Sequence, residues 1–229
     1  MGSSSSASVA HLRFSTKNNA LWRREGNNSV RNERSKFEYC AARAARLAEV
    51  CYAARMTNQS PEAAARDAKH WEAVEQAAEI VADEQYKAAL AELRAVIEAD
   101  PTNPYAYNYL GVALYELGEL EPARDAYRAA IAVSPKYLGA RISLSHVLRD
   151  LGEAREALKH GMIALSDAQG DGDALHAVGM AYLSLKDFAQ ARRFLEAFLS
   201  THPEFEVATE VRAILTQLGA PNPDDEDDN

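Results

Sequence analysis

Six histidines, two cysteines and an acid-rich surface are the side chains of this chain with the reach to do chemistry. Two imidazoles hold a metal when they share one helix face at i and i+4. His11, His70, His146, His160, His176 and His202 contain no such pair. Cys40 and Cys51 form neither a CxxC nor a Cys/His zinc spacing, and two cysteines do not make a disulfide scaffold. HExxH, GxSxG, a P-loop and GxGxxG are all absent from the sequence. Carboxylates such as Glu116 and Glu119 read as a solvated face. His146 and His176 are expected on neighbouring helices, as polar side chains lining a shared wall. The expectation is therefore a non-catalytic protein with no cofactor and no metal.

Composition narrows the alternatives. Of 229 residues, 47% are apolar and 26% charged, enough for a core and against wholesale disorder. The apolar share leans on Ala and Leu, which favours helix over sheet. The net charge of −9 is unevenly spread: residues 1–55 hold ten Lys/Arg and four Glu, leaving −15 on the remainder. So acidic a body repels phosphate backbones, and nucleic-acid binding by it is not expected. No apolar run approaches the length of a membrane span, and no apolar segment of the signal-peptide kind follows the first basic residues. A reduced, cytoplasmic setting fits the two cysteines.

Any recognising residues must be positioned by helices, and a strict 34-residue period says which ones. Leu110, Leu144 and Val178 recur at that spacing, as do Leu114, Leu148 and Tyr182, and Ala89, Ala123, Ala157 and Ala191. Pro101, Pro135 and Pro203 keep the same register. Each unit holds two patterns with apolar residues at i, i+3, i+4 and i+7, the mark of paired amphipathic helices. These are predicted over 61–82, 86–99, 104–118, 121–134, 138–151, 154–168, 172–185, 188–200 and 205–218. Asn103 is placed to cap the helix opening at Pro104. Gly118 and Gly152 fall between paired helices, where a left-handed turn residue is wanted. Gly161 lies inside a helix. It marks the third unit as either locally loose or held by a close backbone contact. The helix over 205–218 has one apolar and one charged face, as a terminal cap should.

Residues 104–137 resemble the tetratricopeptide (TPR) repeat family. They read Tyr107-x2-Leu110-Gly111-x2-Leu114, then Ala123-x3-Tyr127, then Pro135. Residues 172–205 follow the same pattern with Leu175, Val178, Gly179, Tyr182, Ala191, Leu195 and Pro203. Residues 138–171 depart from it at Ser145 and Gly161, and residues 70–103 keep only Ala89, Leu93 and Pro101. The resemblance implies an all-α fold, a right-handed α-solenoid of about four helix pairs with a C-terminal capping helix. It also implies a concave groove, lined by the first helix of each pair, that takes a peptide segment of another protein.

By the same resemblance, the groove candidates are Tyr105, Asn108, Val112 and Tyr115 on one first helix. On the next they are Ile142, His146 and Arg149, with Asp150 beside Arg149 to neutralise it, and on the third His176 and Met180. Tyrosines offer area with a polar tip, and Asn108 can both donate and accept. The other reading is that the tyrosines pack between helices. The cationic clamp by which some relatives hold chaperone tails is missing: the matching positions are Asn108, Val112, Ser143, Asp173 and Ala177. Size, acidity and repeat number are also similar to small acidic chaperones of type III secretion systems, which is the alternative role. An enzyme or regulatory subunit is the remaining class. Partner identity, pathway and oligomeric state are not encoded in any motif.

The domain plan is then 1–36 a disordered basic leader, 37–60 a short helix and linker, 61–219 the solenoid, and 220–229 an acidic disordered tail. The repeats are 70–103, 104–137, 138–171 and 172–205. Three readings of the leader stand. It is inert; it precedes a true start at Met56, just before the capping Ser60 and Pro61; or it is an Arg- and Ser-rich targeting segment. The helix over 38–55 would carry Ala41, Ala44, Leu47, Ala48 and Cys51 on one side.

Overall fold

A computed structural model describes residues 60–219. Those residues form α1 (Pro61–Ala82), α2 (Tyr86–Ala99), α3 (Pro104–Glu116), α4 (Leu120–Val133), α5 (Leu138–Asp150), α6 (Ala154–Asp167), α7 (Gly172–Ser184), α8 (Phe188–Leu199) and α9 (Phe205–Gly219). No strand occurs among the described residues. The expected leader, the helix over 38–55 and the acidic tail lie outside them.

Helix starts follow local chemistry. The Ser60 hydroxyl accepts from Ala63 N at 3.3 Å, with Pro61 in the first turn. Asn103 Oδ1 accepts from Tyr105 N and Ala106 N at 3.0 and 3.2 Å. The same amide donates to the His70 carbonyl at 2.8 Å and so ties one helix pair to the next. Asp171 Oδ1 caps α7 through Ala174 N at 2.8 Å. These bonds satisfy backbone N–H groups that a helix start leaves open.

The turns inside the pairs share one geometry. Gly118 and Gly152 have φ of 78° and 80°, as their positions require. The equivalent sites in the first and last pairs hold Glu84 and Lys186, also left-handed at 60° and 61°. The predicted helices 104–118 and 138–151 stop at Glu116 and Asp150, because the left-handed residue follows a C-cap leucine.

Pairs close where a small residue faces a large one. A Cβ on Gly111 would meet the Tyr127 ring at 2.7 Å, and one on Gly179 would meet Leu195 at 2.7 Å. Gly161 resolves in favour of close contact, not looseness: its Cβ would lie 3.1 Å from Val178 and 3.3 Å from Ser145 Oγ. The pairs stack in sequence, and the first helices α1, α3, α5 and α7 touch one another along the stack. One apolar core runs from Val74 and Leu93 through Tyr109, Leu144 and Leu148 to Ala181. Beyond it, Leu195, Phe198, Val207 and Val211 seat α9 on the last pair. Arg192 fixes the far end of α9 by donating to the Leu218 carbonyl at 2.7 Å.

Candidate functional site

The first helices form one wall, because the 34-residue period repeats each position on successive members of the stack. On that wall the candidates divide into packed and polar-facing groups. Tyr105 belongs to the packed group, with 1% of its surface exposed. Its ring meets Trp71 edge-on at 5.6 Å and Tyr137 at 5.5 Å, and its hydroxyl donates to Asp67 Oδ1 at 2.9 Å. The expectation that Tyr105 presents its polar tip to an occupant is corrected here, since Asp67 takes that tip. Val112 joins the main core. Ile142 packs with Ala164, Ala174 and Ala177, and Met180 with Leu195 and Phe198. Each is buried because neighbouring pairs close over these positions.

Two polar clusters are brought together. In the first, Tyr115 donates to Asp150 Oδ2 at 2.5 Å, and Arg149 Nη2 lies 2.7 Å from Asp150 Oδ1. A single carboxylate thus joins α3 to α5 and neutralises Arg149. That neutralisation is the one expected from the adjacency of Arg149 and Asp150, whereas the reach of Asp150 to the neighbouring tyrosine depends on the stacking of the helices. In the second cluster the His146 and His176 rings lie 5.6 Å apart, and His176 lies 5.0 Å from Phe198. Among the described residues no group of acids, histidines and cysteines has metal-binding geometry.

Asn108 stands apart. It is 1% exposed, and its side-chain carbonyl accepts no hydrogen bond. A buried acceptor left open costs free energy comparable to a lost hydrogen bond, so this atom is poised for a donor. On the neighbouring first helix, Asp150 is engaged by both Tyr115 and Arg149.

Comparison with known proteins agrees with this architecture. Residues 81–118 match the family described as TPR repeat, and residues 104–137 and 173–204 match tetratricopeptide repeat families. The peroxisomal targeting signal receptor of Eremothecium gossypii is 31% identical over 94 residues, 41% of this chain. The match spans 16% of that receptor's own length. Among solved structures, the type IV pilus biogenesis factor PilW superposes with a TM-score of 0.58 at 20% identity, covering 66% of this chain and 71% of PilW. A thermophilic TPR protein of Thermus thermophilus gives 0.55 at 22% identity, covering 65% of this chain and 80% of that one. MamA gives 0.53 at 23% identity, covering 58% and 78%. These structural likenesses establish the fold. No helix among the described residues is long and apolar enough to cross a membrane.

Proposed function

From the premise that this chain is a tetratricopeptide repeat protein, a protein–protein interaction module, we propose that its first-helix wall holds a peptide segment of a partner without catalysing a reaction. The observation that carries this reading is the side-chain carbonyl of Asn108, buried on a first helix and accepting no hydrogen bond. Such an acceptor favours a segment that brings it a donor, and the −15 carried by residues 56–229 favours one bearing Lys or Arg. The aligned stretch of the targeting-signal receptor, whose name describes recognition of a signal, supports a receptor-like use of the fold. The binding residues proposed are Asn108, Tyr115, Glu116, Arg149, Asp173 and His176, with Val112, Ile142 and Met180 holding the wall from behind.

The test is comparative capture from cells of the source organism. Asp173→Lys together with His176→Ala should lose the proteins retained by the parent, with helicity unchanged. Lys159→Glu, on an exposed face of α6, should retain them. Capture that survives the wall variant and fails with the α6 variant would move the binding surface to the outer helices.

A further inference from the structure

The third helix pair holds a charged side chain where its neighbours hold aromatic or apolar ones. The repeat register places Tyr107, Arg141 and Leu175 at one position of successive first helices. Tyr107 and Leu175 pack against apolar clusters. Arg141 puts a guanidinium there, with 9% of the residue exposed. Its Nη2 donates to the Pro135 carbonyl. Its Nε is shut off from solvent and has no hydrogen-bond partner. Among the described residues no carboxylate forms an ion pair with Arg141. A neutral carbonyl does not balance a buried charge, and an unbalanced one is costly. Packing alone would favour the leucine of the last pair.

A second open atom lies close by. Ser145 on α5 faces Ala157 and Gly161 on α6, through its bond to the Ala157 carbonyl and its close approach to Gly161. Arg141 is one turn before Ser145 on the same side of α5, and His160 adjoins Gly161. The Nδ1 of His160 is likewise shut off from solvent and has no partner. After burial of the ring, the Arg141 charge is the largest influence that lowers the affinity of His160 for a proton, as a near neighbour should. The other charges around them are matched. Lys159 Nζ lies 3.6 Å from Glu156 Oε1, and Arg128 Nη1 lies 3.9 Å from Asp125 Oδ1. Arg141 is therefore the uncompensated charge of the cluster.

We propose that Arg141 Nε and His160 Nδ1 form a binding site for a phosphate group between α5 and α6. A free guanidinium fork holds a planar carboxylate by two parallel bonds. Here the Pro135 carbonyl takes one arm of that fork. What remains is one donor from each of two side chains on two helices, since Nδ1 can carry the proton of the ring. That arrangement suits a tetrahedral oxyanion, whose oxygens point in different directions. His160 is only partly buried and stands at the outer edge of the pair, so a turn of its ring opens the way to Nε. The site lies between the two helices of one pair and does not depend on the reading of the first-helix wall.

The test titrates the full chain with inorganic phosphate and, in parallel, with phosphoserine, at an ionic strength held constant by potassium chloride. The His160 ring resonances, identified by their loss in His160→Ala, should shift saturably with at least one of the two. That binding should be at least tenfold tighter than the binding of acetate. The tighter of the two probes tells a free ion from a phosphate carried on a side chain. Arg141→Leu, with the residue of the last pair, should fold and lose the response. Arg141→Lys keeps the charge without Nε and should bind at least threefold more weakly, which decides the matter if the leucine variant does not fold. Arg212→Leu, on an exposed face of α9, should bind as the parent does. Phosphate should also raise the urea midpoint of the parent and leave that of Arg141→Leu unchanged.

A His160 signal unmoved by both phosphates, a response kept in full by either Arg141 variant, or acetate bound as tightly as phosphate would overturn the proposal. The first two results would leave Arg141 as a strut on the Pro135 carbonyl, and the last would give the site to a carboxylate.

Discussion

Ser145 and Gly161 fill one another's space. A Cβ on Gly161 would lie 3.3 Å from Ser145 Oγ, and that hydroxyl donates to the Ala157 carbonyl at 2.8 Å. In the units on either side the small residue is on the first helix and the large one on the second, as Gly111 with Tyr127 and Gly179 with Leu195. In the third unit the glycine is on the second helix and faces Ser145 and Val178. Gly161→Leu should therefore destabilise the fold by about 1–3 kcal/mol through overpacking. Ser145→Gly in the same chain should recover part of that loss. Urea unfolding of the two single variants and the double variant measures the coupling. Strict additivity would show that the two positions do not share the space.

The turns make a second expectation. Glu84 and Lys186 hold the left-handed conformation that Gly118 and Gly152 hold in the middle units. A side chain there costs about 1 kcal/mol or more. Some of the relief from glycine is offset by the extra freedom it gives the unfolded chain. Glu84→Gly and Lys186→Gly should each stabilise by roughly 0.5 kcal/mol, and Gly118→Ala should destabilise by about 1 kcal/mol. Thermal midpoints of the three variants decide it; a loss of stability in both glycine variants would contradict the strain argument.

Asp100 sets part of the acid limit. Its carboxylate accepts from the Thr102 hydroxyl at 2.6 Å and the Thr102 N–H at 2.9 Å, and His70 Nε2 lies 3.1 Å from it. The Thr102 hydroxyl bond, first, and its backbone bond hold the Asp100 carboxyl below its ordinary value. A carboxyl lowered on folding contributes stability above its unfolded value of about 3.9 and loses it as the pH falls through the folded value. Asp100→Asn should flatten the stability profile below about pH 4 and leave its shape near neutrality unchanged. Urea titrations between pH 2.5 and 7 would read this, and an unchanged acid limb would exclude the role.

His160 acts in the next window up. Burial, first, and the nearby Arg141 charge lower its affinity for a proton, with Lys159 and Arg128 adding to the effect and Glu156 opposing it. The unfolded chain then binds more protons than the folded one just below about pH 6.5, so stability rises with pH through that range. His160→Gln should flatten this slope between the lowered folded value and about 6.5. The measurement is the urea midpoint at half-unit steps of pH. A slope that persists in the variant would assign it to another group.

How much of this was legible in the sequence follows from what each feature depends on. The helices, their order and most of their ends were readable. Apolar residues at helical spacing, a 34-residue period, the Asn103 and Ser60 caps and the Gly118 and Gly152 turns are local signals that act within a few residues. The family pattern around Tyr107, Gly111, Ala123 and Pro135 added the wall on which the first helices line up.

What the sequence could not decide was how each wall residue is used, because that depends on neighbours one repeat away. Tyr105 and Tyr115 look alike in the pattern. Only stacking brings Asp67 to the first hydroxyl and Asp150 to the second, making one a packing residue and the other part of a polar link. Glu84 and Lys186 carry no turn signal of their own, and the packing of each pair forces them into the glycine conformation. Gly161 reads locally as a weakness, yet Ser145 and Val178 supply the contacts that close over it. The period and the caps are set by interactions along the chain, whereas burial and pairing are set by interactions across it, and those exist only once the repeats have stacked.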